Sequence, residues 1–271
     1  ELRDRIRSWW IMAAVFFAAV AVHPALSLVF FGLMSFWALK EYVTLLHTRP
    51  ADHRALFLAF LAIPVQDYLI HLQWYGVFII FVPVYMFLLL PAGLVLAKDP
   101  RGFVASASQI QWGLMAFVFG LSHLAYLSGF PPLAGTRADG RSLLLFLVFI
   151  TEMSDVLQYC WGKLLGRHRV IPTISPNKTW EGLVGGLLSV AAAALLLRFL
   201  TPFSPLETFL VAGMIGVAGF FGGAVMSAVK RDFGVKDFGS AIPGHGGMLD
   251  RVDSLCYAAP AFFHYVYYVY Y

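Results

Sequence analysis

An all-α bundle of membrane-spanning helices is the fold class this sequence predicts, and three observations predict it. Of its 271 residues, 60% are hydrophobic and only 13% are charged, against about 25% charged in an average soluble domain. The mean hydropathy is +0.75, and a soluble chain of this length cannot keep that much apolar surface from water. The apolar residues come in unbroken runs such as Ile79 to Leu96, where the strands of a membrane barrel would alternate apolar and polar positions. Disorder is excluded by the 16% aromatic content, and two cysteines, Cys160 and Cys256, are too few for a disulfide scaffold.

At about 20 residues per crossing, the polar breaks divide the chain into nine expected spans: Trp9–Val22, Ala25–Leu46, Ala55–Leu72, Tyr75–Ala97, Ile110–Ser128, Ser142–Leu165, Thr179–Leu200, Leu206–Val229 and Leu249–Tyr271. His23-Pro24 separates the first two, because proline ends a helix. The first is short for a full crossing. The last opens on charges and closes on the tyrosine-rich Tyr265–Tyr271, whose rings favour the membrane–water interface. No tandem repeat or low-complexity linker interrupts the chain. One membrane domain is expected over residues 1–271, with N-terminal spans in 1–140 and the chemistry in 141–271. Glu1–Arg7 runs into the first apolar stretch without a small-residue cleavage site, so no cleavable signal peptide is expected.

Charge sets the orientation. With the N-terminus in the cytoplasm, sixteen of the nineteen Lys and Arg residues fall in cytoplasmic segments, leaving Arg137, Arg141 and Arg198 on the other side. This bias predicts N-in, C-out. The net charge of +4 and pI near 9.1 are therefore read as topology, and no nucleic-acid partner is expected.

The densest polar stretch runs from Ser227 to Ser254. Asp250 and Asp253 are three apart and would share a face if the segment were helical. With Asp237 they supply hard oxygen ligands of the kind Mg²⁺ takes, one or two carboxylates alongside substrate phosphate. Lys230, Arg231, Lys236 and Arg251 can neutralise phosphate oxygens, arginine through a bidentate fork. Pro243-Gly244-His245-Gly246-Gly247 is a glycine-rich turn that lets backbone N–H groups approach an anion just before a helix begins. The alternative is a solvated loop whose charges serve topology, but Asp250, Arg251 and Asp253 lead straight into an apolar span, where unpaired charge is costly.

A second cluster surrounds span six. Glu152 and Asp155 lie in an otherwise apolar segment, where a carboxylate should face a polar cavity or a partner. Lys163 and Arg167-His168-Arg169 follow, then Ser175 to Gly182. Ser175 or Thr179 can cap span seven. For Lys178 and Glu181 the plain alternative is a capped helix end with a surface ion pair.

These two stretches resemble the phosphatidate cytidylyltransferase (CDP-diacylglycerol synthase) family. The family's C-terminal pattern is met at Ser227, Lys230, Arg231, Lys236, Asp237, Pro243, Gly244, His245, Gly246, Gly247, Asp250, Arg251 and Asp253. Its upstream pattern is met at Asp155, Tyr159, Gly162, Lys163, Ser175, Pro176, Lys178, Thr179, Trp180, Glu181 and Gly182. The resemblance covers roughly Asp155 to Ser254. Ser154 stands where the family often has Asn, and Gln158 where Ala is usual. The resemblance implies transfer of the cytidylyl group of CTP to phosphatidate, giving CDP-diacylglycerol and pyrophosphate, by an enzyme of the bacterial inner membrane with its site facing the cytoplasm. It implies Lys230, Arg231, Lys236, His245 and Arg251 as catalytic groups. Ser227, Lys163, Lys178, Gly244, Gly246 and Gly247 would contact substrate. Asp155, Asp237, Asp250 and Asp253 would hold Mg²⁺, with a second, monovalent ion such as K⁺ beside it. A homodimer is implied by resemblance alone.

Two other functions compete. A CTP-dependent polyprenol or phytol kinase would transfer the γ-phosphoryl group and release CDP. A transporter would use Glu152, Asp155 and Asp67 as an ion path, but the charges gather on one side and no inverted repeat is visible. Asp67 is expected in a polar interhelical contact, and Lys40 and Glu41 at the interface. Cys160, Cys256 and His264 read as packing residues. Gly213, Gly216, Gly219 and Gly222 recur every third residue and read as a close-packing stripe, beside the site or at a dimer seam.

Overall fold

The computed structural model describes residues 2–242 and 246–271, with side chains described from Ile6 onward. Pro243, Gly244 and His245, three of the motif residues, lie outside the described residues. The chain forms two compact units. One comprises Glu1–Tyr126 with Asp237–Arg251, the other Leu127–Lys236 with Val252–Tyr271.

The first unit begins with α1 (Leu2–Val22) and α2 (Pro24–Leu45). The expected break at His23-Pro24 is present. Pro24 takes the first helical position, and His23 Nδ1 accepts the Ala25 N–H at 3.1 Å. A short turn, Pro50–Asp52, leads into α3 (His53–His71). There Asp52 accepts hydrogen bonds from the Arg49 backbone N–H at 2.9 Å and from Arg49 Nη2 at 2.8 Å. Helix α4 (Tyr75–Val95) widens into a π-type turn at Phe81–Met86, a stretch holding Pro83, whose ring nitrogen donates no hydrogen bond. Helix α5 (Phe103–Ser128) starts seven residues before the expected Ile110. Gly102, at φ +59°, takes the left-handed turn that precedes it.

Helix α2 meets α3 at Gly32, where a Cβ would lie 2.1 Å from Asp67 Oδ2. Asp67 thus lies between helices, as the sequence suggests. Tyr42 of α2 packs on Gly113 and donates to the Gln109 carbonyl at 3.1 Å.

The second unit opens on α6 (Gly140–Leu165), capped by Asp139, which accepts the Ser142 N–H at 2.8 Å. An antiparallel hairpin follows, β1 (Arg169–Ile171) and β2 (Ser175–Thr179), with Arg169 opposite Thr179 and Ile171 opposite Ser175. This small sheet corrects the all-α expectation, which left the stretch as a loop. The hairpin places Thr179, rather than Ser175, at the N-cap of α7 (Trp180–Leu200), accepting the Gly182 N–H at 3.1 Å. Helices α6 and α7 approach closely because glycines face side chains across the seam. A Cβ on Gly186 would lie 2.4 Å from Gln158, and one on Gly185 would lie 2.7 Å from the Trp161 ring.

Helix α8 (Pro205–Asp232) starts with a reciprocal cap between Ser204 and Glu207. The expected ninth span is broken. A short turn of helix, α9 (Leu249–Val252), ends at Asp253-Ser254, and α10 (Leu255–Tyr270) begins anew. The Ser254 N–H donates to Asp253 Oδ1 at 2.7 Å, a local side-chain bond that competes with the helical ladder. Tyr265 and Tyr270 of α10 both donate to Glu207 Oε1, the former at 2.5 Å.

Among the described residues seven helices are long and apolar enough to cross a bilayer: α2, Pro50–His71, α4, α5, α6, α7 and α8. The apolar part of α1, Ile6–Val22, and the sixteen residues of α10 are shorter.

Candidate active site

In the second unit, three polar groups converge on Gly223 of α8, and a fourth, Asp155, joins them through Ser254. A Cβ on Gly223 would lie 3.3 Å from Lys178 Nζ, 3.5 Å from Ser254 Oγ and 3.9 Å from Asp253 Oδ2. Ser254 Oγ donates to Asp155 Oδ2 at 2.7 Å and lies 3.4 Å from Asp253 Oδ1. One hydroxyl therefore links two carboxylates that the sequence separates by nearly a hundred residues. Their like charges act on each other, and Lys178 and Lys230 act on Asp253 with opposite sign. Asp155 is turned into this cluster, while Glu152, three residues earlier on α6, is exposed.

The glycines explain how the groups come so close. A Cβ on Gly222 would lie 2.7 Å from the Asp253 carbonyl oxygen, and one on Gly219 would lie 3.6 Å from Ser254 Cβ. Gly216 faces Leu187 and Ser154, while a Cβ on Gly213 would meet nothing within 4 Å. Three of the four stripe glycines are thus used within this unit, against the cluster or the α6–α7 seam.

Lys178, on β2, reaches Phe220. Its Nζ donates to the Phe220 carbonyl at 3.2 Å and stands 4.4 Å from the centre of that ring. Burial lowers its pKa below the ordinary lysine value, and the nearby Asp155 and Asp253 oppose the shift. The surface ion pair with Glu181 is not formed. Glu181 instead accepts from the Arg167 N–H at 3.0 Å and from the His168 N–H at 3.2 Å, with His168 Nδ1 at 2.6 Å from its other oxygen. It ties down the start of the hairpin and leaves Lys178 to the carboxylates.

Ser227 Oγ donates to the Gly223 carbonyl at 2.7 Å. Arg231 Nε donates to the Ile174 carbonyl at 3.4 Å, and Lys163 Nζ stands 5.9 Å from the Tyr159 ring centre. Lys163, Arg231 and Lys236 are exposed.

The first unit holds the rest of the glycine-rich motif. Asp250 Oδ2 accepts from the Phe238 N–H at 2.9 Å and from the Gly247 N–H at 3.1 Å. Gly246, at φ +80°, carries the chain through a left-handed turn beside Asp250 and Asp237. The Ile242 N–H donates to the Gly246 carbonyl at 2.9 Å and closes the loop. Arg251 and Asp237 are exposed. The N–H groups expected to face a phosphate are engaged from residue 247 onward: Gly247 donates to Asp250, and Met248 and Leu249 donate to Glu41 at 2.9 and 2.8 Å. Among the described residues, no three His, Cys, Asp or Glu side chains gather as a metal-holding group. The four predicted metal carboxylates form two pairs, Asp155 with Asp253 in one unit and Asp237 with Asp250 in the other.

Glu41 corrects an expectation. It is buried rather than interfacial, whereas Lys40 is exposed over the Trp37 ring. An acid inside an apolar span is the signal that could have found it. Ser254 gave no such signal, since a single serine at a helix start is ordinary. Cys256 is buried as expected, but Cys160 is exposed.

The sequence matches the model of the cytidylyltransferase family over residues 3–269. The chain belongs to this family. A relative in Escherichia coli K12, named Uncharacterized protein YnbB, is 44% identical over 270 residues, covering 99% of this chain and 88% of the relative. The phosphatidate cytidylyltransferase of Staphylococcus haemolyticus is 38% identical over 157 residues, 56% of this chain and 60% of the relative. That of Staphylococcus aureus strain COL is 36% identical over the same length and shares. The chain thus spans about three-fifths of the length of these two enzymes. Membership supports a CTP-using nucleotidyltransferase with membrane-embedded helices.

Proposed function

We infer that this cytidylyltransferase-family protein transfers the cytidylyl group of CTP to phosphatidate. A phosphate oxygen of the lipid attacks the α-phosphorus of CTP. A new P–O–P linkage forms, the bond to the β-phosphate breaks, and pyrophosphate leaves with CDP-diacylglycerol as product. The observation that carries the reading is the cluster of Asp155, Asp253, Ser254 and Lys178 at Gly223. It combines a half-buried ammonium with paired carboxylates beside a long apolar helix. Such a reaction needs positioning and charge neutralisation more than covalent chemistry from the protein.

Lys178 and Lys230 would neutralise phosphate oxygens, with Arg231 and Lys236 extending the positive surface. Mg²⁺ suits the donor set, because Asp155 and Asp253 are hard oxygen donors held close, with repulsion that a cation relieves. They would hold the ion with substrate phosphate completing its shell; in the other unit Asp237, Asp250 and Arg251 are candidates for metal and phosphate contacts of their own. The ion supplies charge stabilisation on the reacting phosphate oxygens.

The sixteen-to-three charge split favours a site open to the cytoplasm of a bacterial inner membrane. Cysteines introduced at Gly166 and Ser240 should resist an impermeant reagent applied to intact cells; labelling of both would reverse the orientation. The reaction is tested with purified protein, phosphatidate, Mg²⁺ and CTP labelled in the cytidine and, separately, in the γ-phosphate. Label from cytidine on the lipid, with pyrophosphate released, is the expected result. Label from the γ-phosphate on a polyprenol or phytol acceptor, with CDP released, would replace the reading by the kinase.

A further inference from the structure

We propose that Glu41 is a positioning residue for the nucleotide, fixing the backbone at residues 247–249 from a distant helix. The proposal deepens the cytidylyl-transfer reading and rests on it. Glu41 lies on α2, within the same unit as Asp237–Arg251, and is 7% exposed. Its two oxygens divide the work. Oε1 accepts the Met248 N–H at 2.9 Å and Oε2 accepts the Leu249 N–H at 2.8 Å. These are the lengths of charge-assisted bonds.

The neighbours are shaped around this carboxylate. A Cβ on Gly247 would lie 2.4 Å from Oε2, and one on Gly239 would lie 2.9 Å from Oε1. A side chain at either position would push the Glu41 carboxylate out of these bonds, a steric reason for glycine unrelated to a phosphate. On the other side of the loop, Asp250 Oδ2 holds the Phe238 and Gly247 N–H groups. Two acids thus brace one segment, one from within and one from more than two hundred residues away in sequence.

A neutral cap next to the short α9 would satisfy the same donors without the cost of placing an acid in an apolar helix. What a local cap cannot do is fix the segment to α2. The braced backbone lies between Asp237 and Arg251, whose side chains are exposed. Those are side chains to which the proposed function assigns metal and phosphate contacts. Loosening the brace should weaken nucleotide binding more than it slows the chemical step.

The test uses the full chain in detergent. Glu41→Gln keeps the shape but turns an amide donor toward a backbone donor. We expect KM for CTP to rise about tenfold, as for loss of a hydrogen bond to a charged group. The KM for phosphatidate should stay unchanged, and kcat should stay within about threefold, the scatter for indirect contacts. Glu41→Asp keeps the charge and should recover part of the loss. A role in stability alone would lower the active fraction and leave KM untouched, and that result overturns the proposal. Hydrogen exchange gives an arm independent of turnover. The Met248 and Leu249 amides should exchange at least about tenfold faster in Glu41→Gln than in the parent, with α6 and α7 unchanged. Equal exchange would overturn the brace. A parent without CTP turnover would sink the cytidylyl reading, while exchange would still decide whether Glu41 holds the segment. If Glu41→Gln fails to fold, Glu41→Asp carries both measurements.

Discussion

The two motif regions use carboxylates in opposite ways. In the segment 237–251, Glu41 and Asp250 turn oxygens toward backbone N–H groups of Phe238, Gly247, Met248 and Leu249. Around Gly223, Asp155 and Asp253 share a hydroxyl and face an ammonium. A carboxylate capped by backbone donors has its charge dispersed among fixed dipoles. A pair of carboxylates set close together has a charge that only another cation can fully offset. The difference teaches that acidic residues of one motif need not share one job. The first region reads as architecture that presents side chains, the second as a place where acids and an ammonium gather.

Asp253→Asn is the strongest way to break this comparison. It should reduce turnover by about a hundredfold, because the proposed cation would lose a carboxylate ligand, and even the outer partners of metal ligands are worth about 10–100-fold. A steady-state assay with the variant's folding checked by thermal unfolding decides it, and activity near the parent's would remove Asp253 from the site. Lys178→Met comes next. Lys178 Nζ acts on both acids, so its loss leaves their charge less compensated, with Lys230 still acting on Asp253. Turnover should fall by more than about tenfold, with partial recovery in Lys178→Arg, whereas a merely filling role would make methionine the milder change.

The glycine stripe sharpens the same contrast through stability. A Cβ at position 222 would press on the Asp253 carbonyl, while one at 213 would meet nothing within 4 Å. Gly222→Ala should destabilise by about 1–3 kcal/mol, the usual cost of overpacking. Gly213→Ala should be neutral or stabilising by up to about 1 kcal/mol, since alanine is the better helix former. Unfolding in detergent checks both, and equal effects at the two positions would show that the stripe is not read by the Asp253-Ser254 turn.

Much of this arrangement was legible in the sequence. Apolar runs located the long helices, and His23-Pro24 marked a real helix boundary. Asp155 was suspect because an acid in an apolar span needs a partner. The same rule applied to Glu41, but its place near a span end made an interfacial role look sufficient. Its true partners are backbone groups of residues 248 and 249, which no side-chain pattern announces. The break at Asp253-Ser254 escaped for a related reason. An aspartate beside a serine reads equally well as a helix start, and only the bond from the Ser254 N–H to Asp253 ends the preceding turn. Lys178 and Glu181 looked like neighbours on a helix end, but the hairpin directs one to Phe220 and the other to His168. Registers of short hairpins come from backbone pairing across residues that carry no apolar alternation to read.

A divalent cation on the Asp155–Asp253 pair is the proposal on which the site depends. It is tested most directly by electron paramagnetic resonance of Mn²⁺, a stand-in for Mg²⁺, titrated into the purified full chain without nucleotide. The account predicts a bound signal in the parent and in Gly213→Ala. In Asp253→Asn and in Asp155→Asn the affinity should be weaker by at least about tenfold, as loss of a carboxylate ligand requires. Equal Mn²⁺ binding by the parent and both Asn variants would contradict it.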